Sequence, residues 1–387
     1  MSEVVLLVMT GIHATSDVER MMAGARQAIT QDTIERAQRV PGIARIVLST
    51  NGPALAAWAS SRGVDVELDA PGEFHFGRRL RELVVKYHVE RLFYMGGGSG
   101  ALLSTAEMAC IVKRLSSAER VLITNNFYST DFAAFAPASA LADIEPPAID
   151  NDLGWRLGEA VGLPNEPLPR SASTQFDVDT PTDLLTLAPH PGAGRHARAF
   201  LDGLHLDTSH ITQAMRPLVD RAAEVLVAGR VSSAVWDYLE RETACRVRVL
   251  AEERGMRASG RLARGEARSL LGYYYQQVGP QRFFETLGQL GRAVFLDSRV
   301  IFAHLGVWPD TADRYNSDLR RPQLIADETV REFTAAAMAA PVPIVLGGHS
   351  LVSGGLYALV EAAWATSGVD VPRYVDHTVW TRAGEHR

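Results

Sequence analysis

The sequence predicts an α/β protein of two domains, each organised around a mostly parallel sheet. Short runs rich in Val, Leu and Ile recur through both halves and alternate with helix-length stretches, the pattern of strands buried on both faces. The segment Ala188-Pro189-His190-Pro191-Gly192-Ala193-Gly194 concentrates proline and glycine between the halves, as domain edges do. Polar side chains follow directly on several of the apolar runs, where parallel sheets bind their ligands. The expected division is a first domain at 1–188, a linker at 189–194, and a second α/β domain with substantial helix at 195–387.

Taken in order, residues 4–9 read as a strand, 19–40 as a helix, and 46–50, 64–68, 91–95 and 121–124 as further strands. Gly96-Gly97-Gly98-Ser99-Gly100 leaves the strand at 91–95, and Ser104-Thr105-Ala106-Glu107 has the spacing of a capping box that opens a helix. Together they make a candidate anion cradle, because glycine lets backbone amides approach a phosphate closely. Asn125-Asn126-Phe127-Tyr128-Ser129-Thr130-Asp131 follows the strand at 121–124 and reads either as a substrate loop or as a locally hydrogen-bonded turn. In the second half, 224–228, 245–250, 293–296 and 342–346 read as strands, with helices at 232–243 and 356–364.

Composition narrows the function classes. The 387 residues are 47% hydrophobic and 22% charged, enough for two cores of ordinary size. A net charge of −6 argues against nucleic-acid and membrane-surface partners, while a local arginine cluster could still take a small anionic substrate. No apolar run approaches the roughly 18 residues of a membrane span and the N-terminus lacks a signal-peptide pattern, so a cytoplasmic location is expected. Cys110 and Cys245 show no CxxC spacing and are expected to be buried thiols. The oligomeric state is open, a homodimer included.

The most informative stretch is Phe176-Asp177-Val178-Asp179-Thr180-Pro181-Thr182-Asp183-Leu184. Strand alternation would put Asp177 and Asp179 on one face. Neighbouring carboxylates repel unless a cation or proton lies between them, so the pair is a candidate divalent-metal anchor. Thr180-Pro181 would end the strand, and Pro181, Thr182 and Asp183 suit a helix start. The purely structural alternative is a strand-to-helix turn with Asp179 or Thr180 as its cap.

This motif resembles the closing motif of the small nucleotidyltransferases of glycosyltransferase-A-like fold. They include the molybdenum-cofactor guanylyltransferases, the methylerythritol-phosphate cytidylyltransferases and the phospholactate guanylyltransferases. The resemblance covers residues 1–188 and implies a Rossmann-like, mostly parallel sheet, Mg2+ as cofactor and a nucleoside triphosphate as substrate. It also implies that Asp177 and Asp179 hold the metal and that Arg20 or Arg26 faces the phosphates. Thr10, Gly11, Gly97, Gly98, Ser99, Gly100, Asn125 and Asn126 would then line the nucleotide or acceptor site. Two departures stand out. The opening loop, Met9-Thr10-Gly11-Ile12-His13-Ala14-Thr15-Ser16, has one glycine and no basic residue, and the chain's two lysines, Lys86 and Lys113, lie elsewhere. Ser99 stands where the family places a metal-binding aspartate.

Residues 195–387 show no such resemblance. Their strand ends carry Arg230, then Glu252, Glu253 and Arg254, then Asp297 and Arg299, then His349 and Ser350, the candidate residues of a second ligand site. Gly348-His349-Ser350-Leu351-Val352 lacks the closing glycine of a hydrolase nucleophile elbow.

The leading functional expectation is a Mg2+-dependent nucleotidyltransferase that condenses a nucleoside triphosphate with a phosphorylated small molecule and releases pyrophosphate. The alternative is a degenerate domain that binds a nucleotide or sugar phosphate, fused to a second catalytic domain acting on a small anionic metabolite. A non-catalytic docking scaffold is the third, disfavoured by the crowded polar strand ends.

Overall fold

The computed structural model describes residues 3–70 and 72–368; the final part of the expected second domain, 369–387, lies outside the described residues. The first half runs β1 (Val4–Thr10), α1 (Asp17–Ala37), β2 (Ile43–Thr50), α2 (Pro53–Ser60), β3 (Asp65–Leu68), α3 (Phe76–Lys86), β4 (Arg91–Gly96), α4 (Thr105–Ser117), β5 (Val121–Thr124), β6 (Phe132–Ala136), α5 (Leu153–Val161), β7 (Asn165–Pro167), α6 (Ala172–Gln175) and α7 (Pro181–Leu187). The second half runs α8 (Arg195–Leu204), α9 (Ser209–Met215), β8 (Glu224–Gly229), α10 (Ser233–Glu242), β9 (Arg246–Ala251), α11 (Leu270–Leu287), β10 (Ala293–Asp297), α12 (Ser298–His304), α13 (Thr311–Asp318), α14 (Glu328–Met338), β11 (Ile344–Gly347) and α15 (Leu356–Ser367).

The architecture is α/β with two sheets, as the alternating runs predicted. The first has the order β3-β2-β1-β4-β6-β5-β7, and the second β11-β10-β8-β9. Central strand β1 is buried at all seven positions, which is why Val-Val-Leu-Leu-Val-Met carries no polar alternation. Strand β6 is antiparallel to both β4 and β5, so the first sheet is mixed on that side. The second sheet is parallel throughout.

Helix starts follow local chemistry. Ser16 and Glu19 form a reciprocal capping box on α1, and Ser104 and Glu107 form the expected one on α4. At α7, Pro181 takes the first turn, and the Asp183 carboxylate accepts from the amide and hydroxyl of Thr180.

The two sheets share an apolar layer. One continuous cluster contains Met22 and Ile29 of α1, Phe176, Leu184 and Leu187 around α7, and Val225, Phe295, Leu356 and Tyr357 of the second half. The proline- and glycine-rich segment 189–194 is folded against this layer: Asp32 of α1 accepts from the amides of His196 and Ala197, where α8 begins. No described helix is long and apolar enough to cross a membrane.

Two local expectations are corrected. Phe176–Asp179 is not a strand; it contributes one isolated bridge, Ser99 to Asp177, because β4 is already flanked by β1 and β6 and the segment can only cross the turn beyond its end. Cys110 and Cys245 are free but partly exposed rather than buried.

Candidate functional site

Strand order reverses between β1 and β4, and the crevice beyond their carboxyl ends is where such a sheet binds ligands. A cleft of about 760 Å3 opens there. Its floor is the end of β1, Thr10 and Gly11, beside the turn Gly96–Ser99 that leaves β4. Its walls carry Arg26 and the carboxylates of Asp131, Asp150, Asp177 and Asp179.

The glycine run serves packing. A Cβ on Gly97 would stand 2.2 Å from Thr10 Oγ1, and one on Gly98 would stand 2.9 Å from Asp177 Oδ1. These glycines therefore let β1 and the Asp177 segment close over the turn. Gly96, Gly97, Gly98 and Ser99 line the cleft, residues 101–104 separate this turn from α4, and Asp177 is the carboxylate that packs on it. Gly100 turns the chain with φ +62° and is buried away from the cleft. Ser99 donates its hydroxyl hydrogen to Gly96 O at 2.9 Å.

The carboxylates arrive from separate segments and are held individually. Asn125 Nδ2 donates to Asp131 Oδ2 at 2.7 Å, and Asn125 Oδ1 accepts from the Asp131 amide at 3.1 Å. Tyr94, buried in β4, donates its hydroxyl to Asp150 Oδ2 at 2.9 Å. Asp179 is held by its main chain: its amide donates to Asp183 Oδ2 at 3.1 Å, and its carbonyl accepts from Tyr315 Oη at 3.0 Å and Arg26 Nη2 at 3.4 Å.

Their electrostatics are those of an under-neutralised acidic cluster. Burial, with the charge of Asp150, pushes Asp131 up to about 8. Burial, with the charge of Asp179, lifts Asp150 to about 6. Asp177 is raised well above the carboxylate range by burial and then by Asp179, Asp131 and Asp150. Among the described residues no three His, Cys, Asp or Glu side chains are grouped closely enough to hold an ion alone. The oxygen donors of Asp177 and Asp179 nonetheless suit Mg2+, which takes one or two carboxylates and completes its shell with water and phosphate.

Other expected residues lie elsewhere. Arg20 pairs with Asp17 on the exposed face of α1 and does not line the cleft. Asn125 supports Asp131 instead of lining the cavity, and Asn126 Oδ1 accepts from the Tyr128 amide in a local turn. Asp131, Asp150 and Tyr94 escaped sequence reasoning. Asp131 closes the polar loop 125–131, whose composition is that of any hydrogen-bonded turn, and Asp150 follows a proline-rich loop that carries no pattern of its own.

At the second sheet, Arg230 grips Asp297 through Nε at 2.6 Å and Nη2 at 3.0 Å. Arg299 makes the same fork with Asp318, at 2.7 and 2.6 Å. Glu252 accepts from the Leu270 amide and the Ser269 hydroxyl, and Glu253 pairs with Arg261, so both fasten the loop before α11. Ser350 donates to Asp183 Oδ2 at 2.8 Å, which ties it to the first site and leaves it no nucleophile's base. Arg254 and His349 are exposed.

No protein-family profile matches the sequence, and no curated protein matches it. Among solved structures, a cytidylyltransferase from Leptospira borgpetersenii is 14% identical, over 53% of this chain and 94% of its own, with a TM-score of 0.39. A CMP:2-keto-3-deoxy-manno-octonic acid synthetase complexed with CTP is 12% identical, over 47% of this chain and 95% of its own, with a TM-score of 0.35. A 4-diphosphocytidyl-2C-methyl-D-erythritol synthase from Anaerococcus prevotii is 12% identical, over 52% of this chain and 96% of its own, with a TM-score of 0.34. Each likeness spans about half of this chain, and none of the three proteins is one of the guanylyltransferases whose closing motif the sequence resembles.

Proposed function

We propose that the chain transfers a nucleotidyl group from a nucleoside triphosphate to a small anionic acceptor and releases pyrophosphate. One observation carries this reading: Asp131, Asp150 and the Asp177/Asp179 pair meet Arg26 and the Thr10–Gly11 turn in one cleft, at the switch point of a mostly parallel sheet. The closing-motif resemblance supplies the reaction class.

In such a transfer an acceptor oxygen attacks the α-phosphorus in line, the bond from that phosphorus to the β-phosphate bridge breaks, and pyrophosphate leaves. Positioning and charge stabilisation carry the catalysis. Asp177 and Asp179 would hold Mg2+, which when bound neutralises charge on the phosphates. Arg26 would serve as a cation for the departing phosphates, and its bond to the Asp179 carbonyl keeps it beside the acidic pair. Asn125 and Tyr94 orient the two outer carboxylates.

A reading of binding without turnover is favoured by two observations: Ser99 offers a hydroxyl where a carboxylate is expected, and Arg20 pairs with Asp17 and does not line the cleft. Thermal shift with ATP, CTP, GTP and UTP, with and without Mg2+, followed by a pyrophosphate-release assay, tests both. A ligand at a hundred times its dissociation constant adds about 2.7 kcal/mol to stability. Mg2+-dependent stabilisation by one triphosphate with pyrophosphate release on adding phosphorylated acceptors supports the transferase. Stabilisation without release supports binding alone, and no response to any triphosphate removes both.

A further inference from the structure

A second cavity, of about 710 Å3, lies where α1, the segment 189–194 and the start of α8 meet. Leu102, Leu103 and Ser104 line it, just beyond the glycine turn that lines the carboxylate cleft, and the two cavities share no lining residue.

Its walls carry Arg36, Arg39, Arg62 and Arg195 against two carboxylates, Asp32 and Glu35. Both carboxylates are already engaged. Asp32 accepts from the amides of His196 and Ala197 at 2.9 and 2.8 Å. Glu35 is shared by Arg195 at 2.9 Å, His196 Nε2 at 2.9 Å and Arg62 at 3.9 Å. Gln38 donates to Arg62 O at 2.9 Å, and the Arg62 guanidinium lies 4.1 Å from the centre of the Trp58 ring, so the rim contributed by α2 is fastened to α1.

Two cations in this cavity lack a counter-ion. Arg36 donates to the carbonyls of Asp32, Gly100, Ala101 and Leu103, which satisfy its hydrogens but not its charge. Arg39 uses Nε alone, on Glu35 O at 3.0 Å. Neither forms an ion pair among the described residues. An arginine rim with uncompensated charge, above the buried side chains of Leu102 and Leu103, is the lining of a pocket for an anion.

We infer that this cavity is an anion site separate from the carboxylate cleft, and that it takes a multiply charged phosphate group, free or carried by a small molecule, with Arg39 as its uncommitted ligand. Arginine forks match phosphate oxygens two at a time, and the excess positive charge favours a polyphosphate over a single monoanion. The site stands whether or not the cleft transfers nucleotides.

The test is calorimetric titration of the full chain with pyrophosphate, without Mg2+. Saturable binding is expected, weakened about tenfold in Arg39→Ala. Glu35→Gln should tighten it, because a competing carboxylate is removed, and a damaged fold could not produce that gain. Arg282→Ala, on an exposed ion pair of α11, and Arg26→Ala, in the other cavity, should leave the affinity as it was. In fluorotryptophan-labelled protein the fluorine resonance of Trp58, assigned with Trp58→Phe, should move on binding, since Arg62 stacks on that ring. No saturable binding, or an affinity indifferent to Arg39→Ala, overturns the site. Binding lost only in Arg26→Ala assigns the anion to the carboxylate cleft and overturns it too. With the site in place, equal affinity for pyrophosphate and ADP makes the ligand a free polyphosphate, and tighter binding of ADP makes it a group on a larger molecule. A chain that binds pyrophosphate through Arg39 but responds to no triphosphate with Mg2+ keeps this site and removes the transferase reading.

Discussion

Tyr315 donates its hydroxyl hydrogen to the main-chain carbonyl of Asp179 at 3.0 Å. A residue of α13, in the second half of the chain, thereby fixes one end of the Asp179 backbone, in the acidic pair of the first half. Asp183 fixes the other end by accepting from the Asp179 amide at 3.1 Å. The carboxylate is aimed by bonds to its backbone, so its own oxygens stay free for a ligand.

Tyr315→Phe should therefore cost about 1 kcal/mol in stability, the worth of one net hydrogen bond. It should also weaken Mg2+-dependent triphosphate binding, because Asp179 loses one of its anchors. Urea denaturation and ligand titration on the same variant check this. A loss of stability with unchanged ligand affinity would leave Tyr315 a structural role alone.

Asp177→Asn should act in opposite directions on the free and liganded protein. Without ligand, replacing a carboxyl whose ionisation the buried cluster disfavours should stabilise the fold by about 1 kcal/mol. With Mg2+ and nucleotide, the stabilisation seen in the parent protein should vanish. Paired melting curves read both effects.

Stability should fall as pH rises from 6.5 to 8. Asp131 is held at about 8 in the folded chain against 3.8 otherwise, and Asp183, buried beside Asp179, at about 7. The folded state keeps protons that the unfolded chain has lost, so unfolding becomes more favourable with rising pH until each folded pKa is passed. His349 works oppositely: its pKa drops from 6.5 to about 4, so its contribution is complete above 6.5 and is lost as pH falls towards 4. The window above 6.5 consequently reports the carboxylates. Asp131→Asn should flatten the slope there, as should saturating Mg2+; a slope unchanged by Asp131→Asn refutes the assignment.

Gly97→Ala should destabilise the ligand-free protein by about 2 kcal/mol or more, since the new methyl would stand 2.2 Å from Thr10 Oγ1. A glycine kept only for phosphate contact would tolerate alanine until ligand was added. Denaturation midpoints without nucleotide separate the two roles.

Local signals in the sequence were strong where the physics is local. The unbroken apolar run of β1 announced a central parallel strand, Ser104 and Glu107 announced the start of α4, and Pro181 with Asp183 announced that of α7. Asp177 and Asp179 were legible as a pair because their spacing is part of one short segment. The same proximity misled in one respect: alternation suggested a strand, but pairing needs a free sheet edge, and β4 had none to offer.

Asp131 and Asp150 were not legible, because nothing along the chain relates a residue that precedes β6 to one after a proline-rich loop. They meet only once β6 has returned antiparallel beside β4. The polar strand ends of the second half were visible, yet their sorting was not: Arg230 with Asp297, Arg299 with Asp318, and Ser350 with Asp183 are pairings across 67, 19 and 167 positions.

By itself, then, the sequence determined the α/β class, the order of the main strands and the place of the acidic pair, since periodicity, caps and turn residues act over a few neighbours. Only the tertiary structure decided which carboxylates share a cleft, which arginines are already spent on buried partners, and that the second sheet closes against the Asp179 segment. Those outcomes depend on packing between distant segments, where a charge has meaning only once its neighbours in space are known.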